Sequence, residues 1–375
     1  MLCKDGLLQH CIADKRAFSI FTHLMKYLRW LLLPFSLLYG VAVVVRNWCY
    51  DAGFFKSREF DMPVISVGNL DVGGAGKSPM TEYLVRLLKS SCRTATLSRG
   101  YGRKTTGFVL ADSGSSPGNI GDEPAQFKQK FPDVTVAVCE ERATGIDKLK
   151  ADHDVIILDD AFQHRSVKPG FSILLFDYNK LFDPHFLLPA GNLREPFSGK
   201  WRADMFVISK CPSHLTQEEK TRCYYRVAPH HGQPLFFSAI NYLPLQDIHG
   251  NAIQDTIDVD TTVFLLTGIA NPIPLYTHLK TFTQHIIHHN YADHHQFTLK
   301  NIAKLANTFN ACPSQKKVII TTEKDAQRLG VRDLAPAIAK LPISVLPIGV
   351  EFLDNSGHEF DKLILNYVRE YTEHN

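Results

Sequence analysis

The segment Gly73-Gly74-Ala75-Gly76-Lys77-Ser78, set between the apolar run Pro63–Val67 and the helical pattern Lys77–Ser90, constrains the fold more than any other feature. A strand, a glycine-rich turn and a helix start, in that order, aim backbone N–H groups and the positive helix end at a phosphate. In that geometry Lys77 reaches the β- and γ-phosphates of a nucleotide and the Ser78 hydroxyl binds Mg²⁺. Nucleotide contacts are expected from Val72, Gly73, Gly74, Ala75, Gly76, Lys77, Ser78 and Pro79. The pattern G-x-x-x-x-G-K-[ST] places glycine at position 71, where this chain has Asp71. The loop is therefore a variant in which Gly73, Gly74 and Gly76 supply the permissive backbone. A glycine-rich turn without a ligand is the alternative, and the strand-to-helix context argues against it.

Past Pro63 the chain alternates strand-length apolar runs (Thr94–Leu97, Val134–Val138, Val155–Leu158, Ser172–Phe176, Met205–Ile208) with helical stretches. Strands this apolar, separated by helices, imply a mostly parallel sheet covered on both faces, an α/β fold. Extended stretches around Phe236–Leu243 and Ile253–Asp258 flank Gly250 and read as a two-strand β-ribbon or hinge. Alternation then resumes at Val263–Leu266, Ile286–His289, Val318–Thr321 and Ser344–Leu346, which implies a second, smaller α/β unit. The expected division is an N-terminal membrane-associated segment over 1–60, a core over 61–232, a ribbon linker over 233–260 and a C-terminal domain over 261–375.

No charge interrupts Trp30–Val45, which Arg29 and Arg46 flank. The run falls short of the roughly 20 residues of a spanning helix, although Tyr27 and Leu28 extend it if Arg29 snorkels. A helix lying in the interface is the preferred reading, with Trp30, Tyr39 and Trp48 at headgroup depth. A buried core helix, a short spanning helix and a signal peptide are the alternatives, the last without a convincing cleavage site. Residues 1–62 carry eight basic and five acidic side chains, so the whole formal surplus of +3 sits there and no nucleic-acid partner is expected. Eight scattered cysteines without a C-x-x-C pair read as free thiols in a reducing compartment.

The strand Val155–Leu158 ends in Asp159 and Asp160. C-terminal strand ends face the ligand crevice of an α/β sheet, so either carboxylate can hold Mg²⁺ near the phosphate loop. Such a pair also serves as a turn or helix cap.

The run Asp159-Asp160-Ala161-Phe162-Gln163-His164-Arg165 resembles the D-D-G-F-Q-H-R signature of the tetraacyldisaccharide 4′-kinase family of lipid A biosynthesis. Val64–Leu70, Ser98-Arg99-Gly100-Tyr101-Gly102, Gly121-Asp122-Glu123-Pro124, Leu188–Pro196, Asp293-His294 and Thr322-Glu323-Lys324-Asp325 agree in order, from about Leu31 to Asp325. Ser78 stands where threonine is usual and keeps the hydroxyl; Ala161 stands for glycine and questions a tight turn there.

The resemblance implies a P-loop NTPase-like kinase with a smaller C-terminal domain on a β-ribbon. It would move the γ-phosphate of ATP to the 4′-hydroxyl of an acylated glucosamine disaccharide at the cytoplasmic face of the bacterial inner membrane, as a monomer. It implies that Asp122 is the base and His294 its partner, that Ser78, Asp159, Asp160 and Glu195 hold the metal, and that Arg194 meets phosphate. Arg99, Tyr101, His164 and Arg165 are further cleft candidates. By their own sequence context, Asp122 can equally be a helix cap, and His294 lies among His285, His288, His289 and His295, a tract that alternatively suggests a metal site. The rival class is a membrane-associated P-loop ATPase switch, whose signature lysine is replaced here by Val72.

Overall fold

The structure, a computed structural model, describes residues 30–230, 232–254, 256–330 and 333–372. Tyr27–Arg29, Cys3 and Cys11 lie outside the described residues; Cys49, Cys92, Cys139, Cys211, Cys223 and Cys312 are free thiols. Two compact units share the described chain: a smaller one from residues 30–57, Leu70–Val72 and Phe182–Arg202, and a larger one from Arg58–Asn69, Gly73–Leu181 and the described residues of 203–372.

In the smaller unit the apolar run forms helix α1 over Trp30–Asp51, whose 22 residues are long and apolar enough to cross a membrane by length and composition. The helix runs past Arg46 because a charged side chain does not break a helix. It ends where Gly53 turns left-handed at φ 79°. One stripe, Ser36, Gly40 and Val43, is buried. Ser36 donates to the Leu187 carbonyl at 3.0 Å and accepts from the Ala190 N–H at 2.8 Å, while Tyr39 donates to the Arg194 carbonyl at 2.7 Å. Positions three and four apart share a helix face, so this polar stripe is one side of α1. Trp30, Leu31, Phe35, Leu37, Leu38, Val41, Val44, Val45 and Trp48 are exposed around the rest.

The larger unit opens with β1 (Val64–Asn69), α2 (Lys77–Leu88), β2 (Thr94–Ser98), β3 (Val109–Leu110), α3 (Pro117–Ile120), α4 (Asp122–Lys130), β4 (Thr135–Val138) and α5 (Arg142–Leu149). There follow β5 (Val155–Asp159), β6 (Phe171–Asp177), β7 (Met205–Cys211), α6 (Gln217–Val227) and β8 (Leu235–Tyr242). Next come β9 (Gln246–Asp247), β10 (Thr262–Thr267), α7 (Ile273–Leu279), β11 (Ile286–Asn290), α8 (Leu299–Ala311), β12 (Lys317–Thr321), α9 (Glu323–Leu329), α10 (Ala335–Ile338) and β13 (Ile343–Val345). Last are β14 (Ile348–Phe352) and α11 (Gly357–Thr372).

Among the described residues the strands make a nine-stranded sheet in the order β14-β8-β7-β6-β1-β5-β2-β4-β3, and a five-stranded sheet in the order β11-β10-β12-β13-β9. Every pairing from β8 to β4 is parallel, and the two edges, β14 on β8 and β3 on β4, are antiparallel. The fold is thus α/β with a mostly parallel main sheet. Alternate residues of each strand enter different cores: Ile65 and Val67 pack with Met80 and Leu84 of α2 and with Phe360 and Ile364 of α11, whereas Val64 packs with Ile146 and Leu149 of α5. Burial on both faces explains why these strands read as unbroken apolar runs.

The ribbon differs from expectation. β8 pairs with β14, Tyr242 opposite Ile348, not with Ile253–Asp258. Ile253 and Ile257 instead pack against the smaller sheet's core, and Ala252 beside them makes an isolated bridge to Gln246. The segment of β14 and α11 therefore returns to the large sheet.

Candidate active site

β1 and β5 are adjacent, with Val67 opposite Asp159, so the phosphate loop and the acidic strand end share one edge of the sheet. Gly76 caps α2 with φ 82°. A side chain there would be strained, and its Cβ would also meet the Ser209 hydroxyl at 3.5 Å. Asp71 tolerates the glycine position of the usual pattern because it is not among the positive-φ residues. It belongs to the smaller unit, where it bridges Leu193 and where the Val72 N–H donates to the Asn192 carbonyl at 2.8 Å. Pro79 sits in the first turn of α2, where the missing N–H costs no helical bond.

The Lys77 ammonium is buried, donates to Asn69 Oδ1 at 2.9 Å and lies 3.5 Å from Asp160. The Ser78 hydroxyl donates to Glu123 Oε1 at 2.9 Å. Asp159 accepts from Thr81 at 3.2 Å through Oδ1, while its buried Oδ2 has no hydrogen-bond partner. Burial first, then the neighbouring Glu123 and Asp160 charges, push the Asp159 carboxyl up to about 7. Glu123 goes the other way: desolvation pushes it up, but the Lys324 ammonium at 2.6 Å, with Ser78 and Lys77, outweighs this and holds it down at about 2. Burial lowers the Arg142 guanidinium to about 10 against the opposing pull of Asp159 and Asp160. The tight turn after β5 is made by Asp160 itself, at φ 50°, so Ala161 needs no glycine-like backbone and its methyl joins the core.

Asp122 opens α4 just past Gly121, whose φ is 96° and whose added Cβ would lie 2.9 Å from the Tyr101 carbonyl. This close approach sets the Tyr101 loop against the helix start. Across from it, His294 is itself left-handed at φ 57° and brings Nδ1 to 3.4 Å from Asp122 Oδ2. The exposed Tyr101 ring lies 6.0 Å from the His294 ring, centre to centre. Between them stands Arg328 of α9, fully buried: Nε and Nη2 donate to Asp122 Oδ2 at 2.9 and 2.8 Å, and Nη1 donates to the Gly268 carbonyl and to Asp325. Side chains in the first 130 residues and in the five-stranded half of the chain thus meet at one carboxylate oxygen.

The remaining predicted residues are distributed unevenly. Arg99 is exposed, His164 accepts weakly from the Arg142 N–H at 3.4 Å, and Arg165 is half-buried on the turn after β5. Arg194 and Glu195 belong to the smaller unit. Glu195, expected as a metal ligand, has no exposed surface; both its oxygens accept from Arg202 Nη2, at 2.9 and 2.8 Å, and Oε2 also accepts from Asn47 at 3.2 Å. Binding a metal would require Glu195 to leave this buried ion pair within the smaller unit. The histidine tract does not converge: His288 bonds Thr267, His289 bonds Thr308 and His295 bonds Asn301. Among the described residues no group of three or more His, Cys, Asp or Glu side chains could hold a metal by itself.

Sequence reasoning passed over Glu123, Arg142, Lys324 and Arg328. The first and third lie inside blocks that carry the resemblance, Gly121–Pro124 and Thr322–Asp325. Arg328 has no comparable signal, because an arginine on a short helix ordinarily reads as solvated.

A family model described as tetraacyldisaccharide-1-P 4′-kinase matches residues 28–369. The chain is 44% identical to a tetraacyldisaccharide 4′-kinase of Phocaeicola vulgatus over 356 residues, which is 93% of this chain and 97% of that one. It is 43% identical to its namesake in Bacteroides thetaiotaomicron over 364 residues, 93% and 96% of the two chains. In three dimensions it resembles the crystal structure of LpxK from Aquifex aeolicus in complex with ATP, with a TM-score of 0.69 at 30% identity, covering 91% of this chain and 99% of that one.

Proposed function

The chain belongs to the tetraacyldisaccharide-1-P 4′-kinase family, and on that premise we propose that it transfers the γ-phosphate of ATP to the 4′-hydroxyl of a tetraacyl glucosamine disaccharide 1-phosphate, with Asp122 taking the hydroxyl proton. The observation that carries this reading is the approach of His294 to Asp122 at 3.4 Å, on helix α4 whose next residue, Glu123, holds the phosphate-loop Ser78. A base placed one residue from a group that touches the phosphate loop can reach a hydroxyl directed at the γ-phosphate.

Phosphoryl transfer requires positioning and charge neutralisation more than covalent chemistry. Lys77 turns from Asn69 and Asp160 to the β- and γ-phosphates, and the loop from Val72 to Pro79 cradles them. His294 orients Asp122. Arg99, Tyr101, His164, Arg165 and Arg194 remain candidates for phosphate or sugar contacts. Ser78, Asp159 and Asp160 would hold a magnesium ion, and they fit one: Asp159 keeps an unpartnered buried oxygen beside two further carboxylates. Bound there, the ion supplies charge neutralisation at phosphate oxygens. Magnesium takes few protein ligands and completes its shell with water and phosphate, which suits a site with no three-residue cluster of its own.

The protein works as a monomer at the cytoplasmic face of the inner membrane, with α1 lying in the interface. Supporting this, α1 carries exposed apolar side chains on most of its circumference, while the stripe Ser36–Tyr39–Asn47 bonds to main-chain and charged groups of Leu187–Glu195 that hydrocarbon would not accept. Leu38→Glu/Val41→Glu/Val45→Glu should shift the protein to the soluble fraction with ATP binding intact; unchanged sedimentation with membranes would contradict the interfacial placement.

The activity is tested with labelled ATP and a panel of acceptors, including the acylated disaccharide, in detergent micelles. Transfer to the disaccharide that disappears in Asp122→Ala supports the proposal. ATP hydrolysis indifferent to the disaccharide and stimulated by a protein partner would replace it with the switch reading.

A further inference from the structure

Strand β7 ends against the phosphate loop in a way that neither the loop motif nor the catalytic pair accounts for. Its register against β8 slips between Ile208 and Cys211, and Lys210 within the slip takes φ 57°, a conformation rare for a long side chain. The bulge aims two successive side chains at two successive loop carbonyls. Ser209, which is buried, donates to the Ala75 carbonyl at 2.8 Å and lies 3.2 Å from the Phe176 carbonyl. The Lys210 ammonium donates to the Gly74 carbonyl and to Asp177 Oδ2, the latter at 2.8 Å. Asp177 is buried in turn, and its other oxygen accepts from the Asn179 N–H at 3.0 Å. The chain of restraint therefore runs from β6 through Asp177 and Lys210 to the loop.

A trans peptide unit holds its C=O and N–H in opposite directions. Tying the Gly74 and Ala75 carbonyls to β7 thus turns the N–H groups of Ala75 and Gly76 away from β7, and the Ala75 N–H meets the Gly73 carbonyl at 3.1 Å. We propose that Ser209 and Lys210 are positioning residues that set the shape of the phosphate loop before the triphosphate arrives, an inference that rests on the loop binding ATP. Fixing the two carbonyls narrows the shapes open to the loop when a triphosphate displaces the Ala75–Gly73 contact, so the restraint appears in nucleotide affinity.

The test measures ATP affinity of the full chain by calorimetry without any acceptor, together with KM for ATP and kcat in the micelle assay. Lys210→Met is expected to weaken ATP binding about tenfold, the worth of one charge-assisted hydrogen bond, with KM for ATP rising more than kcat falls. Lys210→Arg should recover part of the loss, and Ser209→Ala should shift affinity in the same direction by less. Asp177→Asn, which loosens Lys210 without touching the loop, keeps the question open to measurement if Lys210→Met folds poorly. Variants that lose thermal stability yet bind ATP as the parent does would overturn the proposal, as would a fall in kcat with affinity unchanged. If the parent chain itself binds no ATP, the nucleotide reading of the loop fails and the clamp falls with it; weakened binding in Lys77→Ala but not in the β7 variants rejects the clamp alone.

Discussion

The phosphate loop is assembled from consecutive residues, whereas the Asp122 cluster joins side chains 172 and 206 positions apart. The loop's geometry is set mostly within itself, by two left-handed glycines and a helix start, with Ser209 and Lys210 of β7, 134 and 136 positions away, as its distant support. The cluster exists only while α4, α9 and the His294 turn stay packed, and its central atom, Asp122 Oδ2, has no local support of its own. Local construction ties nucleotide binding to a few bonds; long-range construction ties the proton-accepting step to the integrity of a whole interface between two sheets.

The sharpest test of that difference is to remove one member from each region. Asp122→Ala should lower kcat by about 10²–10⁴-fold with ATP affinity retained, and Lys77→Ala should lower transfer by roughly 10²–10³-fold while weakening ATP binding; calorimetry beside the micelle assay reads both. Loss of ATP binding in Asp122→Ala would show that the regions are not separable. Next in size, Arg328→Met leaves the Asp122 and Asp325 carboxylates without their guanidinium and should cost about 3–5 kcal/mol in urea unfolding, as well as activity. A stability change no larger than that of Lys77→Met would break the contrast.

A smaller effect separates the carboxylates by pH. Asp159 titrates near 7 in the folded protein against an ordinary 3.8, so the folded chain keeps a proton that the unfolded chain has lost. Its contribution to stability therefore declines as pH rises from about 4 through about 7. Asp159→Asn should raise the thermal midpoint of the ligand-free protein at mildly alkaline pH, the gain vanishing toward pH 4. Glu123, held down at about 2 from 4.5, acts oppositely: its contribution is present above 4.5 and lost as pH falls toward 2, so Glu123→Gln should flatten the acid limb. Smallest of all, Ser78→Thr keeps the hydroxyl and should leave kcat nearly unchanged.

The same contrast decides how much the amino-acid sequence reveals by itself. The loop and the strand ending in Asp159 are contiguous patterns whose physics is local, and both appear where the sequence places them. Asp122 and His294 became visible only through resemblance, since a helix-start aspartate and a histidine in a histidine-rich tract each have an ordinary explanation. Arg328 stayed hidden because burial of an arginine is decided by partners far away in the chain. The bonds of Glu195 to Arg202 and Asn47, 7 and 148 positions away, are likewise not written in its own sequence block. The ribbon was misassigned because Ile253 and Ile257 have the apolar spacing of a strand, while the true partner of β8 arrives only after the smaller sheet is complete.

That late arrival has a consequence for how the protein is made. With Tyr242 opposite Ile348, the large sheet sees everything between them as the loop of a single hairpin. Closing so long a loop costs only about 0.6 kcal/mol more per doubling of its length, and the insert draws its own ends together once folded. During synthesis, however, Phe352, Phe360, Ile364 and Tyr367, which seal one face of the first sheet, leave the ribosome only after every strand of the second. The nucleotide-binding half, though translated first, must wait for β14 and α11 before its core is closed. A chain stopped after Leu346 should be cut by protease throughout the large sheet as well as the small one, and an intact large-sheet fragment would contradict this order of assembly.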